Sequence, residues 1–234
     1  MKRPIKLPFF EIGIKNYFYG DDVLKLAQTA EKAAEEYDID VMMIVPFTEI
    51  RRVAENTNRL IIFAPHMDTL RVGRGLADIL PEAIKAAGAD GVVLNHSEKP
   101  LTLSKIEETI QRADELDLLT FACADTIAQS HAIAGFHPNI INPEPKELIG
   151  SGKTSSIDFV NGTIQAIKTV DPKIIIEQAA GITTPEQVAQ FILAGADGVG
   201  VASGIAKADD PQKMICEMVK STRKAADLLK KKNQ

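Results

Sequence analysis

Eight short apolar segments alternate with longer amphipathic segments, which leaves few folds open to a chain of 234 residues. The apolar segments have the length of buried strands, and the segments between them repeat apolar residues with the 3.6-residue period of a helix. Val23, Ala27 and Ala30, for example, share one helical face. The predicted strands cover residues 9–14, 41–45, 60–64, 91–94, 118–122, 140–141, 174–176 and 198–202.

Strands that alternate with helices form parallel sheets, because each helix returns the chain to the start of the next strand. Eight such units in this length predict an α/β protein with one closed (β/α)8 barrel, a single domain over residues 1–234. No Pro/Gly/Ser-rich linker divides the sequence. A doubly wound sheet is disfavoured, because no G-x-G-x-x-G follows the first predicted strand.

One hexapeptide, Ala-Gly-Ala-Asp-Gly-Val, occurs at 87–92 and again at 194–199. In each copy the first glycine is expected to end a helix, and the last residues enter a strand. The two copies precede the fourth and eighth predicted strands, a placement that fits a repeat of half-barrels.

Three sequence patterns predict where helices begin. Ser104 with Glu107 has the spacing of a capping box, and so does Thr184 with Gln187. Asp210 precedes a proline, which is the usual order of a cap and the first helical residue.

Composition narrows the choice of partners and compartment. The net charge of −5 makes nucleic acid an unexpected partner, and no apolar run reaches the length of a membrane span. The N-terminus shows no apolar signal-peptide core. Two cysteines in a chain of this size favour a reducing compartment, so we expect a cytoplasmic protein without a membrane partner.

The segment 139–152 combines a restrained carboxylate with a small-residue loop. Glu144 lies between two prolines, which restrict its backbone and suit it to act as a preorganised general base. Gly150, Ser151 and Gly152 follow as a predicted lid whose backbone can approach an anion. The alternative is a surface turn that carries a solvated glutamate.

In a (β/α)8 barrel, functional residues lie where the strands end. Lys15 follows the first predicted strand, His96 follows the fourth and Glu144 the sixth, while small-residue turns follow the sixth, seventh and eighth. A cation, an imidazole and a carboxylate at one end of the barrel suit proton abstraction next to a carbonyl on a small phosphorylated substrate.

At these positions the sequence resembles the triosephosphate isomerase family, most closely its short archaeal form. The resemblance runs in order along nearly the whole chain. Its matching residues are Lys15, Leu-Asn-His-Ser-Glu at 94–98, Glu-Pro-Lys-Glu-Leu-Ile-Gly-Ser-Gly at 144–152, Ala-Gly-Ile at 180–182 and Ala-Ser-Gly-Ile-Ala-Lys-Ala at 202–208.

The resemblance implies a TIM barrel that isomerises dihydroxyacetone phosphate and glyceraldehyde 3-phosphate, without metal or organic cofactor, as a homodimer or homotetramer. It implies that Glu144 is the base, His96 the neutral electrophile and Lys15 a fixed charge for the substrate. A helix that begins near Ser97 is expected to lower the pKa of His96. Glu98 is the expected ion-pair partner of Lys15, with Asn95 and Ser97 as supporting residues.

The family resemblance also implies a phosphate site made by backbone N–H groups. These belong to Ile149, Gly181, Ala202 and Ser203, and the lid would exclude water from the enediolate.

Some positions depart from the family pattern. Gly13 replaces an Asn that would contact substrate beside Lys15, Pro65 replaces a Gln, and Leu76-Ala77 replaces a Thr-Gly pair that reaches a neighbouring subunit. Because Gly13 is expected to leave extra room, a four-carbon ketose phosphate is an alternative substrate. A barrel that binds a phosphorylated metabolite without turnover is a further alternative.

A histidine–aspartate pair and one cysteine have residue types that can carry chemistry, but structural roles are expected for them. His66 and Asp68 have a spacing that metal ligands can have, but no third ligand is near in sequence, so a hydrogen-bonded or interface pair is expected. Cys123 is expected to be a buried packing residue rather than a nucleophile.

Overall fold

Eight parallel strands close into a barrel in the computed structural model, which describes residues 1–232. Each strand pairs with its sequence neighbour, and β8 closes the barrel against β1, so the predicted (β/α)8 fold is confirmed. Residues 233–234 of the predicted domain lie outside the described residues. The strands are β1 Phe9–Gly13, β2 Val41–Ile44, β3 Ile61–Ala64, β4 Gly91–Leu94, β5 Leu119–Ala124, β6 Ile140–Pro143, β7 Ile175–Gln178 and β8 Gly198–Val201.

Helices surround the barrel and connect the strands. Among the described residues, none of them is at once long and apolar enough to span a bilayer. Short 3-10 turns occupy Phe47–Glu49 and Lys146–Leu148. The helices are α1 Asp21–Tyr37, α2 Ile50–Asn56, α3 Pro81–Ala86, α4 Leu103–Asp114, α5 Ile127–Ala134, α6 Ile157–Val170, α7 Pro185–Leu193, α8 Ser203–Ala206 and α9 Pro211–Lys232.

Two of the three predicted helix starts are confirmed. Thr184 and Gln187 form a complete capping box at the start of α7. Asp210 caps α9, because its carboxylate accepts the backbone N–H of Lys213 at 2.9 Å.

The prediction of a cap at Ser104 is wrong, and the cap lies two residues earlier. Thr102 keeps an extended backbone, and its hydroxyl accepts the N–H of Lys105 at 3.3 Å. Ser104 therefore lies inside the first turn of α4, where its hydroxyl is 3.1 Å from that of Thr102.

Each copy of the repeated hexapeptide ends a helix as predicted. Gly88, two residues after α3, has a φ of 103°, and Gly195, two residues after α7, has a φ of 105°. These left-handed conformations are the ones that favour glycine at a helix C-terminus.

The second glycine of each copy receives an aromatic ring inside the barrel. A Cβ at Gly91 would lie 2.5 Å from the ring of Phe63, and one at Gly198 would lie 2.2 Å from the ring of Phe9. In both cases the ring comes from the strand paired with the glycine, β3 with β4 and β1 with β8. The repeat therefore supplies the space that the two phenylalanine rings fill.

The barrel interior is apolar only away from the carboxyl ends of the strands. Phe9, Met42, Phe63 and Phe121 belong to one fully buried cluster, in which the Phe63 and Phe121 rings meet edge to face at 6.1 Å. A second, larger core packs the helices onto the outer faces of the strands. Towards the carboxyl ends of the strands, polar side chains replace the apolar ones and surround a cavity.

Candidate active site

A cavity of about 440 Å³ opens at the carboxyl ends of the strands, where functional residues of this fold are expected. The structure brings ten of the fourteen predicted site residues to its wall. They are Gly13, Lys15, His96, Glu98, Glu144, Ile149, Gly150, Gly181, Ala202 and Ser203.

Glu144 is held rigidly where β6 ends. Its backbone N–H donates to the carbonyl of Ala124 on β5 at 2.8 Å, and the flanking Pro143 and Pro145 restrict its backbone further. Only 13% of its side chain is exposed, so the alternative of a solvated glutamate on a surface turn does not hold. Burial raises the pKa of Glu144 to about 7, against the opposing effects of the Lys15 charge and of the Ala180 N–H.

His96 faces Glu144 across the cavity, with 3.7 Å between His96 Nε2 and a Glu144 carboxylate oxygen. The backbone N–H of Glu98 donates to His96 Nδ1 at 3.1 Å. A nitrogen that accepts a hydrogen bond carries no proton, so this bond places the proton of the neutral ring on Nε2. Burial lowers the pKa of His96, and the charge of Lys15 lowers it further.

The expected helix beginning near Ser97 is wrong. Residues 97–98 form a turn, in which the Lys99 N–H donates to the His96 carbonyl at 2.7 Å, and the next helix starts only at Leu103. The low pKa of the imidazole thus follows from burial and from Lys15 rather than from a helix dipole.

Lys15 follows β1 in a left-handed conformation, with a φ of 45°. Such a backbone is strained for a non-glycine residue and is often found at functional sites. Its ammonium lies 2.5 Å from a carboxylate oxygen of Glu98, the predicted partner. That hydrogen bond lowers the pKa of Glu98, and both residues line the cavity.

Gly181 lies directly below the loop that follows Glu144. It has a φ of 68°, and a Cβ there would lie 1.9 Å from the carbonyl oxygen of Lys153. Any side chain would therefore displace the loop. Ala180 has the same left-handed backbone, with a φ of 69°, so the turn after β7 presents consecutive backbone groups to the cavity.

The other predicted phosphate-binding groups differ in their availability. Ala202 and Ser203 stand at the start of the short helix α8, on the cavity wall. The N–H of Ile149 instead donates to the Lys146 carbonyl at 3.3 Å. An anion at Ile149 would have to replace this bond.

The predicted lid has a defined internal structure. Gly150 and Gly152 adopt φ values of 69° and 74°, and Cβ atoms built on them would meet nothing within 4 Å. Between them, the Ser151 hydroxyl donates to the Leu148 carbonyl at 2.7 Å and accepts the Lys153 N–H at 3.0 Å. Ser151 thus ties the two ends of the loop together and does not line the cavity.

Asn95 and Ser97 face away from the cavity, towards a neighbouring one of about 530 Å³ between α4 and α5. The Asn95 amide donates to the Cys123 carbonyl and accepts the Leu101 N–H, both at 2.9 Å. Asn95 therefore fixes the loop that carries His96 to the end of β5.

Sequence reasoning missed two acidic residues inside the barrel, Glu11 on β1 and Glu177 on β7, which are 5% and 0% exposed. The available signal is a glutamate that directly follows two apolar residues in each of these strands. Glu11 also changes the interpretation of Gly13: a Cβ at Gly13 would lie 3.0 Å from a Glu11 carboxyl oxygen. The room expected beside Lys15 therefore borders on a carboxyl group.

The remaining candidates have structural roles. His66 and Asp68 form a hydrogen bond of 3.3 Å, as expected, and Asp68 also accepts the Ile79 N–H. No group of three possible metal ligands occurs among residues 1–232. Cys123 is buried, and burial raises the pKa of its thiol well above the ordinary value. Leu76 is fully exposed on the loop after β3.

Comparisons with known proteins agree on one family. A family model described as triosephosphate isomerase matches residues 10–221. Among curated proteins, the triosephosphate isomerase of Methanobacterium bryantii is 37% identical over 91% of this chain and 96% of its own. That of Sulfurisphaera tokodaii is 37% identical over 95% and 99%, and that of Methanocaldococcus jannaschii is 36% identical over 88% and 94%.

Proposed function

Because the chain belongs to the triosephosphate isomerase family, we propose that it interconverts dihydroxyacetone phosphate and glyceraldehyde 3-phosphate. The observation that carries the mechanism is the pairing of a buried carboxylate with a neutral imidazole. Glu144 and His96 lie 3.7 Å apart on the wall of one cavity, beyond hydrogen-bond distance, so both can contact a substrate that binds in this cavity.

Glu144 removes a proton from the hydroxyl-bearing carbon next to the carbonyl. The C–H electrons form the carbon–carbon double bond of an enediolate, and the carbonyl oxygen gains negative charge. Glu144 then returns the proton to the neighbouring carbon, while the hydroxyl proton on the first carbon passes to the former carbonyl oxygen. Together these two transfers move the carbonyl by one position. A base with a pKa near 7 is effective at neutral pH, because about half of it is ionised and it still holds the proton it removes.

His96 and Lys15 stabilise the charge that develops on oxygen. His96 donates from Nε2, the nitrogen that carries the proton when Nδ1 accepts the Glu98 N–H. Lys15 contributes a full positive charge that Glu98 holds in place. Every group in this mechanism belongs to the chain itself, so the reaction calls for no metal or organic cofactor.

Backbone N–H groups at Gly181, Ala202 and Ser203 hold the phosphate, and the loop over Gly181 excludes water from the enediolate. This assignment is supported by the left-handed backbone at Gly181 and by the absence of bulky side chains at the three positions. Ile149 joins the site when its bond to Lys146 opens.

A coupled assay on purified protein tests the proposed reaction. We expect turnover of dihydroxyacetone phosphate and of glyceraldehyde 3-phosphate, with inorganic phosphate or sulfate as competitive inhibitors, because the anion and the substrate share the backbone site. The KM for triose phosphate should rise with phosphate while kcat stays constant. Absence of turnover, or inhibition that lowers kcat alone, would contradict the proposal.

The pH profile gives a second test. Ionised Glu144 is the active form, and its pKa is raised to about 7. Therefore kcat/KM should rise about tenfold per pH unit below 7 and level off above pH 8. Because the pKa of His96 is lowered from its ordinary value, its imidazole is neutral at pH 7 and above. A profile that is flat between pH 6 and 8 would mean that Glu144 is not the base.

We further propose a homo-oligomer, a dimer or a tetramer, in the cytoplasm. The loop after β3 exposes Val72 and Leu76, which are 72% and 103% exposed, and exposed apolar side chains of this size favour contact with another copy. Cys123 and Cys216 are free thiols, which suits a reducing compartment.

A further inference from the structure

Two carboxyl groups meet in the barrel interior, below the residues assigned to proton transfer. Glu11 comes from β1 and Glu177 from β7, and β8 runs between these strands. A Cβ at Gly200 on β8 would lie 2.4 Å from Glu11 Oε2 and 2.9 Å from Glu177 Oε1. The glycine on the middle strand thus leaves the space that the two carboxyl groups occupy.

The polar atoms of this layer are not satisfied by the protein. Among residues 1–232, Glu11 Oε1, both Glu177 oxygens and Asn142 Oδ1 are buried without a hydrogen-bond partner. Unpaired polar atoms in a protein interior are strongly destabilising. An apolar side chain of similar size would be more stable here, so packing alone does not explain these residues.

This layer is continuous with the active-site cavity. Glu11 and Asn142 line the same cavity as Lys15 and Glu144. Both are 5% exposed, and both carry an oxygen without a partner. A molecule bound between Lys15 and Glu144 can therefore reach these two side chains, with Glu177 behind Glu11.

The protonation of the pair indicates which ligand chemistry suits it. Burial raises the pKa of Glu11 well above its ordinary value, and the charge of Glu144 adds to the effect. Burial, followed by the charge of Glu11, does the same for Glu177. A neutral carboxylic acid both donates and accepts hydrogen bonds, as an alcohol does. A cation would instead require both groups to ionise together.

We propose that Glu11, Glu177 and Asn142 form a hydroxyl-binding subsite for a phosphorylated ketose longer than a triose. In this subsite Glu11 and Asn142 contact the additional hydroxyl group, and Glu177 lies behind Glu11, across Gly200 of β8. The inference rests on the proposed function, because it places the reacting carbons between Glu144 and Lys15. A triose phosphate has no carbon beyond them, whereas a four-carbon ketose phosphate extends a hydroxymethyl group to the cavity floor.

The test compares two substrates on wild-type protein and on Glu11→Met, a substitution that keeps the length of the side chain. The substrates are dihydroxyacetone phosphate and erythrulose 1-phosphate, each measured separately. We expect wild type to turn over both, and Glu11→Met to lower the four-carbon to triose ratio of kcat/KM by at least ~10-fold, because one hydrogen bond to the additional hydroxyl is lost. The Tm of Glu11→Met should equal or exceed that of wild type, because an unpaired acid is removed.

Three further variants make the result interpretable. Asn142→Leu should lower the same ratio, since it removes the other contact. Met42→Leu changes an apolar interior side chain of the strand paired with Glu11 and should leave the ratio unchanged. Glu11→Gln keeps a donor and an acceptor and should retain most of the wild-type ratio.

Some outcomes would overturn the subsite without touching the proposed function. These are wild-type turnover of the triose but not of the four-carbon ketose, or an unchanged ratio in both Glu11→Met and Asn142→Leu. An equal loss for both substrates together with a lowered Tm would show a structural role only. Wild-type turnover of the four-carbon ketose without triose turnover would contradict the proposed reaction and leave the subsite standing.

Discussion

Replacing Glu144 by Gln is expected to lower kcat roughly 10²–10⁴-fold while phosphate binding remains. The amide has the shape of the carboxylate but cannot accept the proton. Its backbone anchor to Ala124 and the flanking prolines are unaffected, so the loop should keep its conformation. The measurement is kcat with triose phosphate, together with the Kd of inorganic phosphate by titration calorimetry.

Glu107→Gln is the matched control for this variant. This substitution makes the same chemical change on the exposed face of α4, outside the cavity wall. The kcat of the Glu107→Gln protein should equal that of wild type. Turnover of Glu144→Gln within a few-fold of wild type would remove Glu144 from the role of base. Loss of both turnover and phosphate binding would instead indicate that the loop had changed.

Replacing Lys15 by Met is expected to lower kcat/KM by about 10²–10³-fold, because the developing oxyanion loses a preorganised charge. The structure adds a second consequence. The charge of Lys15 lowers the pKa of both Glu144 and His96, so its removal should raise both. The acid limb of the residual activity should therefore move to a pH above that of wild type.

The shift of the pH profile separates an electrostatic role of Lys15 from a structural one. Met is unbranched like Lys, so the left-handed backbone at this position costs both residues about the same. Lys25→Met, on the exposed surface of α1, is the control and should change neither rate nor profile. A lowered rate with an unmoved acid limb would show that Lys15 does not act on Glu144 through its charge.

The strands and most of the cavity could be predicted because they depend on local patterns. Apolar runs of strand length and amphipathic spacing determine the order of elements whatever the surrounding structure is. A closed parallel barrel places the carboxyl ends of all its strands on one side. Residues that follow these ends, such as Lys15, His96 and Glu144, are therefore brought to one cavity. The family resemblance supplied the chemical roles.

Features that depend on a backbone angle or on a distant contact could not be predicted in this way. The choice between Thr102 and Ser104 as a cap depends on which residue keeps an extended backbone, and the residue types do not decide that. For the same reason, the residue types at 97–98 do not distinguish the observed turn from a helix start. The burial of Glu11 depends on a distant contact, because its side chain occupies space that Gly200 on β8 leaves free.

The contact between Phe9 and Gly198 bears on how the protein is synthesised. The ring belongs to the first strand and the glycine to the last, so a nascent chain contains the ring long before the glycine that accommodates it. Until β8 leaves the ribosome, the outer edge of β1 has no pairing partner and the Phe9 ring has one open side. Closure of the barrel is therefore a late event of translation, and the unfinished chain presents an unpaired strand edge to chaperones for most of its synthesis.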